Sequence, residues 1–536
     1  MEAAYDVVIV GGGSAGCVAA NRLSADPTIR VCLLEAGNDS LQDLSDNAAE
    51  VFTMALHPDC HYDLHTPPQS HLADRSIFLS AGRLLGGNGS TNAMNYVRGS
   101  AFDYDGWAKD HGCGERWSWN GVQPIMNSLE TYKPVNGADG RGQEGEIDVR
   151  QVEADGLSAI VHEFMKTMRS SGEPEPRDYN DGKNQHGMSP LQYNSREGKR
   201  HSPFNAFLKP LLGKRENLTV KMNAHVGRII FDELKRATGV ELVDGVTGVP
   251  TGEVVHAAKE VILCAGSYFS PKILMLSGVG PKEHLEEVGV KTICDSPQVG
   301  KNLHDHVLCV WMYAFGEDSG LARNKESTDW AHLIGFTSLD GTVDEHAPDI
   351  QYYFAASEKP LPTLPMPPPI VQVHDRAYLV SLGLLHPKSR GSVTLKSTNA
   401  ADVPNANPNY LQHPEDRKTM LDAAKWMRTK LSPLLSQFNT TEIGPAGMGI
   451  PTDEAWIANT ATTFFHPVGT LKMSGKDVDA PVDPSTMKVR GVEGVRVLDA
   501  SVIPSITSGN TNVPTMTVAA VGANILLSEW RSGESS

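Results

Sequence analysis

The chain has 536 residues, with 47 Lys and Arg against 64 Asp and Glu, so its formal net charge is −17 with neutral histidines. This length exceeds one compact core and predicts two domains with a shared interface. Apolar residues make up 40% and charged residues 21%, which excludes a disordered, fibrous or low-complexity chain. The negative balance argues against nucleic acid or an anionic membrane as the main partner, because both repel a polyanion.

Seven cysteines are scattered along the chain without a CxxC pair. An odd number in this arrangement predicts neither a disulfide framework nor a zinc ligand set, and indicates reduced, mostly buried thiols. No apolar run approaches the roughly 18 to 20 residues of a membrane-spanning helix, so no membrane span is expected. The first residues lead straight into a strand-like run without a secretory signal, and we expect a cytoplasmic protein.

The N-terminal residues predict a βαβ unit. Tyr5 to Val10 form an apolar, β-branched run, typical of a buried parallel strand, which stops at three consecutive glycines. Ser14 to Ser24 follow as a helix with small residues on one side, and Val31 to Leu34 form a second apolar strand. The whole unit fits within about the 30 residues that such a unit occupies.

Further elements are predicted along the rest of the chain. Gly137 to Asp155 is rich in glycine and charge and predicts a surface loop. The proline-rich run Lys359 to Pro369 also predicts a loop, because proline disrupts helix interiors and central strands. The remaining predicted elements are strands at Leu218 to Phe231, Glu260 to Gly266 and Val495 to Asp499, and helices at Asp416 to Leu431 and Thr515 to Trp530.

The glycine turn of the βαβ unit carries a dinucleotide-binding pattern. In Gly11-x-Gly13-x-x-Gly16, the first glycine permits a tight turn, the second a close approach of a pyrophosphate, and the third close packing of helix on sheet. The helix N-terminus offers free N–H groups to that anion. Glu35 lies 19 residues after Gly16, at the end of the second strand, where a carboxylate can accept hydrogen bonds from ribose hydroxyls.

The same string has a second interpretation. Residues 12–16 spell GxSxG at a strand-to-helix turn, the pattern of a serine hydrolase elbow. The position of Glu35 favours a dinucleotide. The motif alone does not separate FAD from NAD.

Four further segments stand out, at 82–94 (GRLLGGNGSTNAM), 266–280 (GSYFSPKILMLSGVG), 299–306 (VGKNLHDH) and 465–470 (FHPVGT). The first two resemble the two signatures of the glucose-methanol-choline (GMC) oxidoreductase family, and the other two are similar to further segments of that family. The four matches occur in the family's order. The resemblance therefore covers essentially the whole chain.

The resemblance implies an α/β fold with a Rossmann-like FAD-binding domain and a second, α+β substrate domain built on an antiparallel sheet. The FAD-binding domain is expected to be assembled from residues 1–157, 197–296 and 449–536. The substrate domain is expected to comprise residues 158–196 and 297–448.

The resemblance also implies which residues hold FAD. Thr91 stands where relatives with covalent FAD have a histidine, so we expect non-covalent FAD. Val226 resembles the residue whose backbone meets the adenine. The predicted cofactor contacts are Gly11, Gly13, Ser14, Ala15, Gly16, Glu35, Ala36, Gly86, Gly87, Asn92, Ala93, Met94, Val226, Asp499 and Ala500.

Oxidation of an alcohol by a flavin requires a base that takes the hydroxyl proton while a hydride passes to flavin N5. Histidine, with an ordinary pKa of about 6.5, suits this role. The family's catalytic histidine lies in His-Pro-x-Gly-Thr, which implies His466 here. The family's second residue lies six positions after a proline, which favours Asn510 over the nearby Asn512. An amide can position the alcohol and stabilise the developing alkoxide.

The segment His304-Asp305-His306 has the residue types of a metal site. It lacks a third convincing ligand and lies in a segment that resembles a structural part of the family, so we expect a structural role and no metal.

Aromatic residues surround the expected base. Phe464 and Phe465 precede His466, and Tyr353 lies in an aromatic run of the expected substrate domain. Such side chains either pack in the core or form a wall that favours flat or apolar alcohols. A bulky aromatic directly before the catalytic histidine resembles aryl-alcohol and hydroxymethylfurfural oxidases.

We therefore expect oxidation of a primary, aromatic or furanic alcohol to the aldehyde, with oxygen reduced to hydrogen peroxide. Three alternatives stay open at the level of the sequence. They are a dehydrogenase that uses a quinone or another acceptor, as in choline dehydrogenases, a flavin-containing hydroxynitrile lyase, and a noncatalytic flavoprotein.

Overall fold

The computed structural model describes residues 5–47, 51–133, 140–152, 157, 159–315, 333–339, 347–357 and 377–533. The two largest sheets in this part of the chain have seven strands each. The α-helices are α1 (Ser14–Leu23), α2 (Gln42–Asp46), α3 (Val51–Leu56), α4 (Ala101–Lys109), α5 (Trp119–Leu129), α6 (Ala159–Ser170), α7 (Gly266–Leu276), α8 (Lys282–Val288), α9 (Pro414–Gln437), α10 (Asp453–Thr460) and α11 (Asn512–Arg531). The strands are β1 (Tyr5–Val10), β2 (Val31–Leu34), β3 (Glu130–Lys133), β4 (Ile147–Gln151), β5 (Gly187–Pro190), β6 (Gln192–Tyr193), β7 (Ser195–Arg196), β8 (Lys199–Arg200), β9 (Leu218–Lys221), β10 (His225–Phe231), β11 (Ala237–Val243), β12 (Pro250–Leu263), β13 (Val279–Gly280), β14 (Cys294–Asp295), β15 (Lys301–Leu303), β16 (Val307–Phe315), β17 (Leu333–Thr337), β18 (Ile350–Ser357), β19 (Ala377–Leu384), β20 (Gly391–Thr394), β21 (Asn405–Asn407), β22 (Thr440–Gly444), β23 (Thr462–Thr463) and β24 (Val495–Val497).

The first large sheet contains the N-terminal βαβ unit. β1 pairs in parallel with β2 and β12, β9 continues the sheet beyond β2, and β24 pairs in parallel with β12. The β10–β11 hairpin adds an antiparallel extension through β12. α1 packs against β1, β2 and α11, which leaves β1 without solvent contact at Val7, Val8 and Ile9. The carboxyl ends of the parallel strands meet at one edge, the place where such sheets bind ligands.

The second large sheet is antiparallel, in the order β22-β16-β19-β18-β17-β5, with β23 paired to β16. Helices α6 and α9 cover one face. The ring of Phe354 stacks on Phe164 of α6 at 4.1 Å, and Tyr352 meets Trp426 of α9 at 5.1 Å. Because successive residues of a strand point to opposite faces, Tyr353 points to the other face, toward the first sheet's ligand edge.

The α/β fold and the main predicted elements are confirmed. β1 and β2 have the predicted bounds, and α1 ends one residue early because Ser24 caps it. α9 is longer than the predicted 416–431, since Pro414 starts it and the His413 side chain accepts a hydrogen bond from a first-turn N–H. Six of the seven cysteines are buried, and all seven are free thiols.

One predicted loop is wrong in part. Within 137–155, the stretch Ile147–Gln151 is a strand, β4, which pairs with β3 and β6. The alternation of Ile147 and Val149 between charged residues was its signal, and neighbouring glycines obscured it. The proline-rich run 359–369 lies outside the described residues.

Two elements bear on the division into domains. Helix α10 and strand β23 pack on the second sheet, where Trp456 and Ile457 join its core. We therefore propose that the substrate domain extends to about residue 464, beyond the predicted end at residue 448. No helix in the described part of the chain is long and apolar enough to cross a membrane.

Candidate active site

The glycine loop after β1 forms one end of the site. Gly11 adopts a φ of +103°, and a side chain there would bring its Cβ to 2.5 Å from the carbonyl oxygen of Cys264. A Cβ on Gly16 would overlap the carbonyl oxygen of Gly11, so α1 can lie this close to β1 only with glycine. The cap residue Gly13 has no side chain to accept from the first-turn N–H groups of α1. These groups are therefore available to an anion.

Glu35 lies at the end of β2, facing the glycine loop. Its two carboxylate oxygens accept hydrogen bonds from the N–H groups of Gly12 and Gly37, at 2.7 and 2.8 Å. Burial raises the pKa of Glu35 to about 7, although the two N–H donors act in the opposite direction. The carboxylate is thus fixed at the edge where a ribose would lie beside a pyrophosphate.

A single elongated cavity of about 500 Å³ runs from this loop to the second sheet. Most of the predicted cofactor contacts line it. Those that do are Gly11, Gly13, Ser14, Ala15, Glu35, Ala36, Gly87, Asn92, Ala93, Val226, Asp499 and Ala500.

Three predicted contacts, Gly16, Gly86 and Met94, are not among the residues that line this cavity, and their contact with the cofactor stays a prediction. Gly16 packs against Gly11, and a Cβ on Gly86 would overlap the hydroxyl of Ser90. Met94 is buried in the core of the second sheet, with a φ of +62°. Gly16 and Gly86 allow close packing of the backbone around the glycine loop, and Met94 packs in the core of the second sheet.

His466 and Asn510 meet at the other end of the cavity. Nε2 of His466 lies 3.0 Å from Nδ2 of Asn510, and both residues line the cavity. Nδ1 of His466 lies 3.0 Å from Nδ1 of His306, which is completely buried. The imidazole is therefore held from both sides.

Hydrogen-bond directions in this group follow from Asn510. Its Oδ1 accepts from the hydroxyl of Tyr353 at 2.8 Å and from Nε2 of Gln351 at 3.1 Å. Nδ2 of Asn510 is thereby turned to His466, and since an amide nitrogen only donates, Nε2 of His466 is the acceptor. His466 then carries its proton on Nδ1 and donates it to His306. Nε2, which faces the cavity, carries no proton, and a substrate hydroxyl that replaces the Asn510 N–H at its lone pair can transfer its proton to it.

Asp305 fixes the backbone of the histidine. Its carboxylate accepts from the N–H of His466 at 2.8 Å and from the hydroxyls of Tyr410 and Thr463, both at 2.5 Å. Phe465 adopts a φ of +65°, unusual for a residue with a side chain, and its N–H donates to Thr463 Oγ1 at 2.7 Å. The strained turn before His466 is thus stabilised by a buried carboxylate and a hydroxyl.

The loop that carries Asn510 is held by Asp103. The carboxylate of Asp103 accepts from the N–H and the hydroxyl of Ser508, at 2.7 and 2.9 Å. Asn512, the alternative to Asn510 in the sequence, accepts a hydrogen bond from the Ser14 hydroxyl at 2.7 Å, next to the glycine loop. It therefore lies with the cofactor-side residues and not beside His466.

The comparisons with known proteins agree with this geometry. Two family models described as GMC oxidoreductase match residues 5–308 and 387–519. An alcohol dehydrogenase [acceptor] from Pseudomonas putida is 35% identical over 98% of this chain and 96% of its own length. An oxygen-dependent choline dehydrogenase from Photobacterium profundum is 32% identical, over 98% of this chain and 94% of its own.

The chain belongs to the GMC oxidoreductase family. A solved structure, pyridoxine 4-oxidase from Mesorbium loti, is 30% identical, with a TM-score of 0.85 over 97% of this chain and 98% of that one. The predicted family, its FAD and its action on CH–OH groups are confirmed.

This GMC oxidoreductase has a cavity that fits FAD. The helix N-terminus and its side-chain-free cap suit a pyrophosphate, and the fixed carboxylate of Glu35 suits a ribose diol. The cavity then continues past Asn92 and Ala93 to His466 and Asn510. The loop and the two site residues therefore lie at opposite ends of one continuous volume.

Replacement of Glu35 by Gln is expected to weaken FAD binding about 10- to 100-fold, because one carboxylate oxygen becomes an NH2 group that faces an N–H donor. The dissociation constant is measured by fluorescence titration of the apoprotein with FAD. Glu144→Gln, at an exposed glutamate, is the matched control. Equal affinities of the two variants would contradict the role of Glu35.

A pH profile tests the environment of His466. Burial lowers the pKa of His466 to about 3, and a base is active only above its own pKa. We expect the rate of flavin reduction to stay constant as the pH falls from about 8 through the ordinary histidine value of about 6.5, and to decline only at more acidic pH. Stopped-flow absorbance at saturating substrate measures this. An acid limb centred at or above pH 6.5 would show that His466 is not held as the buried, neutral imidazole seen here.

The structure also separates the three residues of the His304-Asp305-His306 segment. His304 is structural: its Nε2 accepts from the N–H of Ile506 at 3.0 Å. Asp305 and His306 both contact His466, which the sequence did not indicate. Among the described residues no cluster of His, Cys, Asp and Glu has the arrangement of a metal site.

Proposed function

We propose that this GMC oxidoreductase oxidises a primary aromatic or furanic alcohol to the aldehyde, with oxygen as the electron acceptor and hydrogen peroxide as the second product. The observation that carries the proposal is the apolar wall of the second sheet, which borders the cavity beside His466 and Asn510. Five apolar side chains of three adjacent strands form it: Leu308, Val310, Met312, Ala355 and Leu379.

The wall lies on one face of the second sheet. Alternate residues of β16 point into the cavity, and β19 and β18 continue the same face. None of the described residues of β16, β18 and β19 that line the cavity is charged. Phe464 packs on this same face, with its ring 5.9 Å from that of Tyr353 and 4.9 Å from that of His466. A flat apolar ring gains from burial here, whereas a quaternary ammonium finds no carboxylate on this wall.

The chemistry divides between the two site residues. FAD held in this cavity would supply the acceptor for the hydride of the carbinol carbon. Nε2 of His466 carries no proton, and it takes the hydroxyl proton when the substrate hydroxyl replaces the Asn510 N–H at its lone pair. Nδ2 of Asn510 donates to the substrate oxygen and stabilises the negative charge that develops on it. The bond from Nδ1–H of His466 to His306 keeps the ring in place while the proton arrives.

Two features support oxygen as the acceptor. Phe465 lines the cavity directly before His466, as in the aryl-alcohol and hydroxymethylfurfural oxidases that this position resembles. The structurally similar pyridoxine 4-oxidase is an oxidase by name. The Pseudomonas putida relative, named for an unspecified acceptor, supports a dehydrogenase with a quinone or other acceptor as the second candidate.

Anaerobic mixing of the holoprotein with benzylic, furanic, aliphatic and amino alcohols tests this function. We expect benzylic and furanic alcohols to bleach the oxidised flavin spectrum fastest, and choline to be a poor substrate. Addition of air should restore the spectrum rapidly, with stoichiometric peroxide. Slow recovery would favour the dehydrogenase, and a flavin that no alcohol reduces would overturn alcohol oxidation.

We also propose that FAD is held without a covalent bond. Thr91 lines the cavity at the position of the histidine in relatives with linked FAD, and a threonine cannot form that bond. Acid precipitation should therefore release all of the flavin into the supernatant. Flavin that stays with the precipitated protein would contradict this.

A further inference from the structure

One polar side chain interrupts the apolar wall. Ser381 of β19 lines the cavity and is only 8% exposed. Its hydroxyl makes no hydrogen bond with another described residue and lies at the cavity surface. A hydroxyl without a protein partner at a cavity surface is available to hydrogen-bond a ligand.

The sheet register places Ser381 within the wall, next to Tyr353. It lies directly opposite Val310 of β16 and directly opposite Tyr353 of β18. Directly opposite residues share a face, with Cβ atoms about 5 Å apart. Since the Tyr353 hydroxyl donates to Asn510, Ser381 is one strand away from the residue that holds the amide. It thus stands within the wall and not at its rim.

The neighbours of Ser381 leave its hydroxyl available to a ligand. Val310 on one side and Leu379, two residues away on the same face, offer it no hydrogen bond. The Tyr353 hydroxyl is already engaged with Asn510, Asn95 and Gln351. A substrate whose CH2OH group is held at His466 and Asn510 would lay its ring along this wall. A polar atom on the far part of that ring is then the group that can meet Ser381.

We propose that Ser381 determines specificity by a hydrogen bond to an oxygen or nitrogen atom carried by the ring of the alcohol substrate. This rests on the proposed function and refines it. The preferred substrate is not a purely hydrocarbon arylmethanol, but an aromatic or furanic alcohol with a second polar group remote from the carbinol. An analogue that lacks that group leaves the Ser381 hydroxyl buried and unpaired, which costs affinity.

Pairs of substrates that differ by one atom test this inference. 4-Methoxybenzyl alcohol is compared with 4-ethylbenzyl alcohol, and the 3-substituted pair in the same way, because each pair exchanges an ether oxygen for a methylene group of similar size. The ratio of kcat/KM within a pair is measured for the parent protein, Ser381→Ala and Ser381→Thr. Intrinsic reactivity is common to all three proteins, so it cancels when their ratios are compared.

We expect Ser381→Ala to lower the methoxy-to-ethyl ratio about 3- to 10-fold for at least one pair, mainly through KM, since one neutral hydrogen bond is lost. Ser381→Thr, which keeps a hydroxyl, should retain most of the preference. For the ethyl compounds, Ser381→Ala should leave KM unchanged or lower it, because no unpaired hydroxyl then faces the ligand.

The outcomes separate the two proposals. If both members of each pair reduce the flavin and their ratio is the same in all three proteins, the role of Ser381 is wrong and the proposed function stands. If none of the four alcohols reduces the flavin of any holoprotein, the proposed function fails and this inference fails with it. An equal loss for both members of a pair in Ser381→Ala would show a packing role only.

Discussion

Replacement of His466 by Ala is expected to lower the rate of flavin reduction by the alcohol about 10²- to 10⁴-fold, the usual contribution of a general base. The physical reason is that Nε2 is the unprotonated nitrogen at the substrate end of the cavity, where the substrate hydroxyl can replace the Asn510 N–H as its donor. The glycine loop and Glu35 are remote from this substitution, so FAD should stay bound. Stopped-flow absorbance under anaerobic conditions measures the rate, and the flavin spectrum measures the cofactor content.

His162→Ala is the matched control for that experiment. His162 is exposed on α6, on the side of the second sheet away from the cavity, and its loss should leave the rate unchanged. A His466→Ala protein that binds FAD and still reduces it at a near-normal rate would overturn the assignment of the base.

Replacement of Asn510 by Asp is expected to lower the rate about 10²- to 10³-fold, although the two side chains have the same shape. One carboxylate oxygen would still accept from Tyr353 and Gln351. The other would face Nε2 of His466 in place of an N–H donor, so that Nε2 would have to carry a proton. The substrate then loses both its hydrogen-bond donor and its base.

Asn510→Ala and a pH series complete this test. The alanine variant removes the donor without adding charge, and should leave the acid limb of the profile where it is in the parent protein. In the aspartate variant the limb should move to higher pH, because a carboxylate stabilises protonated His466. If Asn510→Asp keeps the parent rate and profile, Asn510 has only a structural role.

The residues that the sequence identified are those with a local requirement. Gly11 needs a φ of +103°, and Gly16 needs the absence of a side chain. Each requirement favours glycine at one fixed position of the loop. A short sequence pattern is therefore enough to identify both residues. Glu35 follows for the same reason, since it stands at a fixed distance from the glycine turn, whereas His466 was identified through its resemblance to the family's His-Pro-x-Gly-Thr segment.

Other parts of the site carry no local pattern. His306 contacts His466 across 160 residues, and Tyr353 contacts Asn510 across 157. A histidine or a tyrosine in a strand looks the same whether it packs in a core or supports a base. The sequence predicted Tyr353 as a substrate contact, and it lines the cavity, but its hydrogen bond to Asn510 had no signal in the sequence.

By itself, then, the sequence determined the family, the FAD-binding fold, the glycine loop and the candidate pair His466 and Asn510. The tertiary structure decided which way the hydrogen bonds of that pair run, which strand faces form the apolar wall, and where Ser381 lies in it. The physical reason is that the register of strand pairing decides which side chains lie on the same face of the sheet. A shift of one residue in β19 would turn Ser381 to the opposite face, and only the pairing with β16 and β18 fixes that choice.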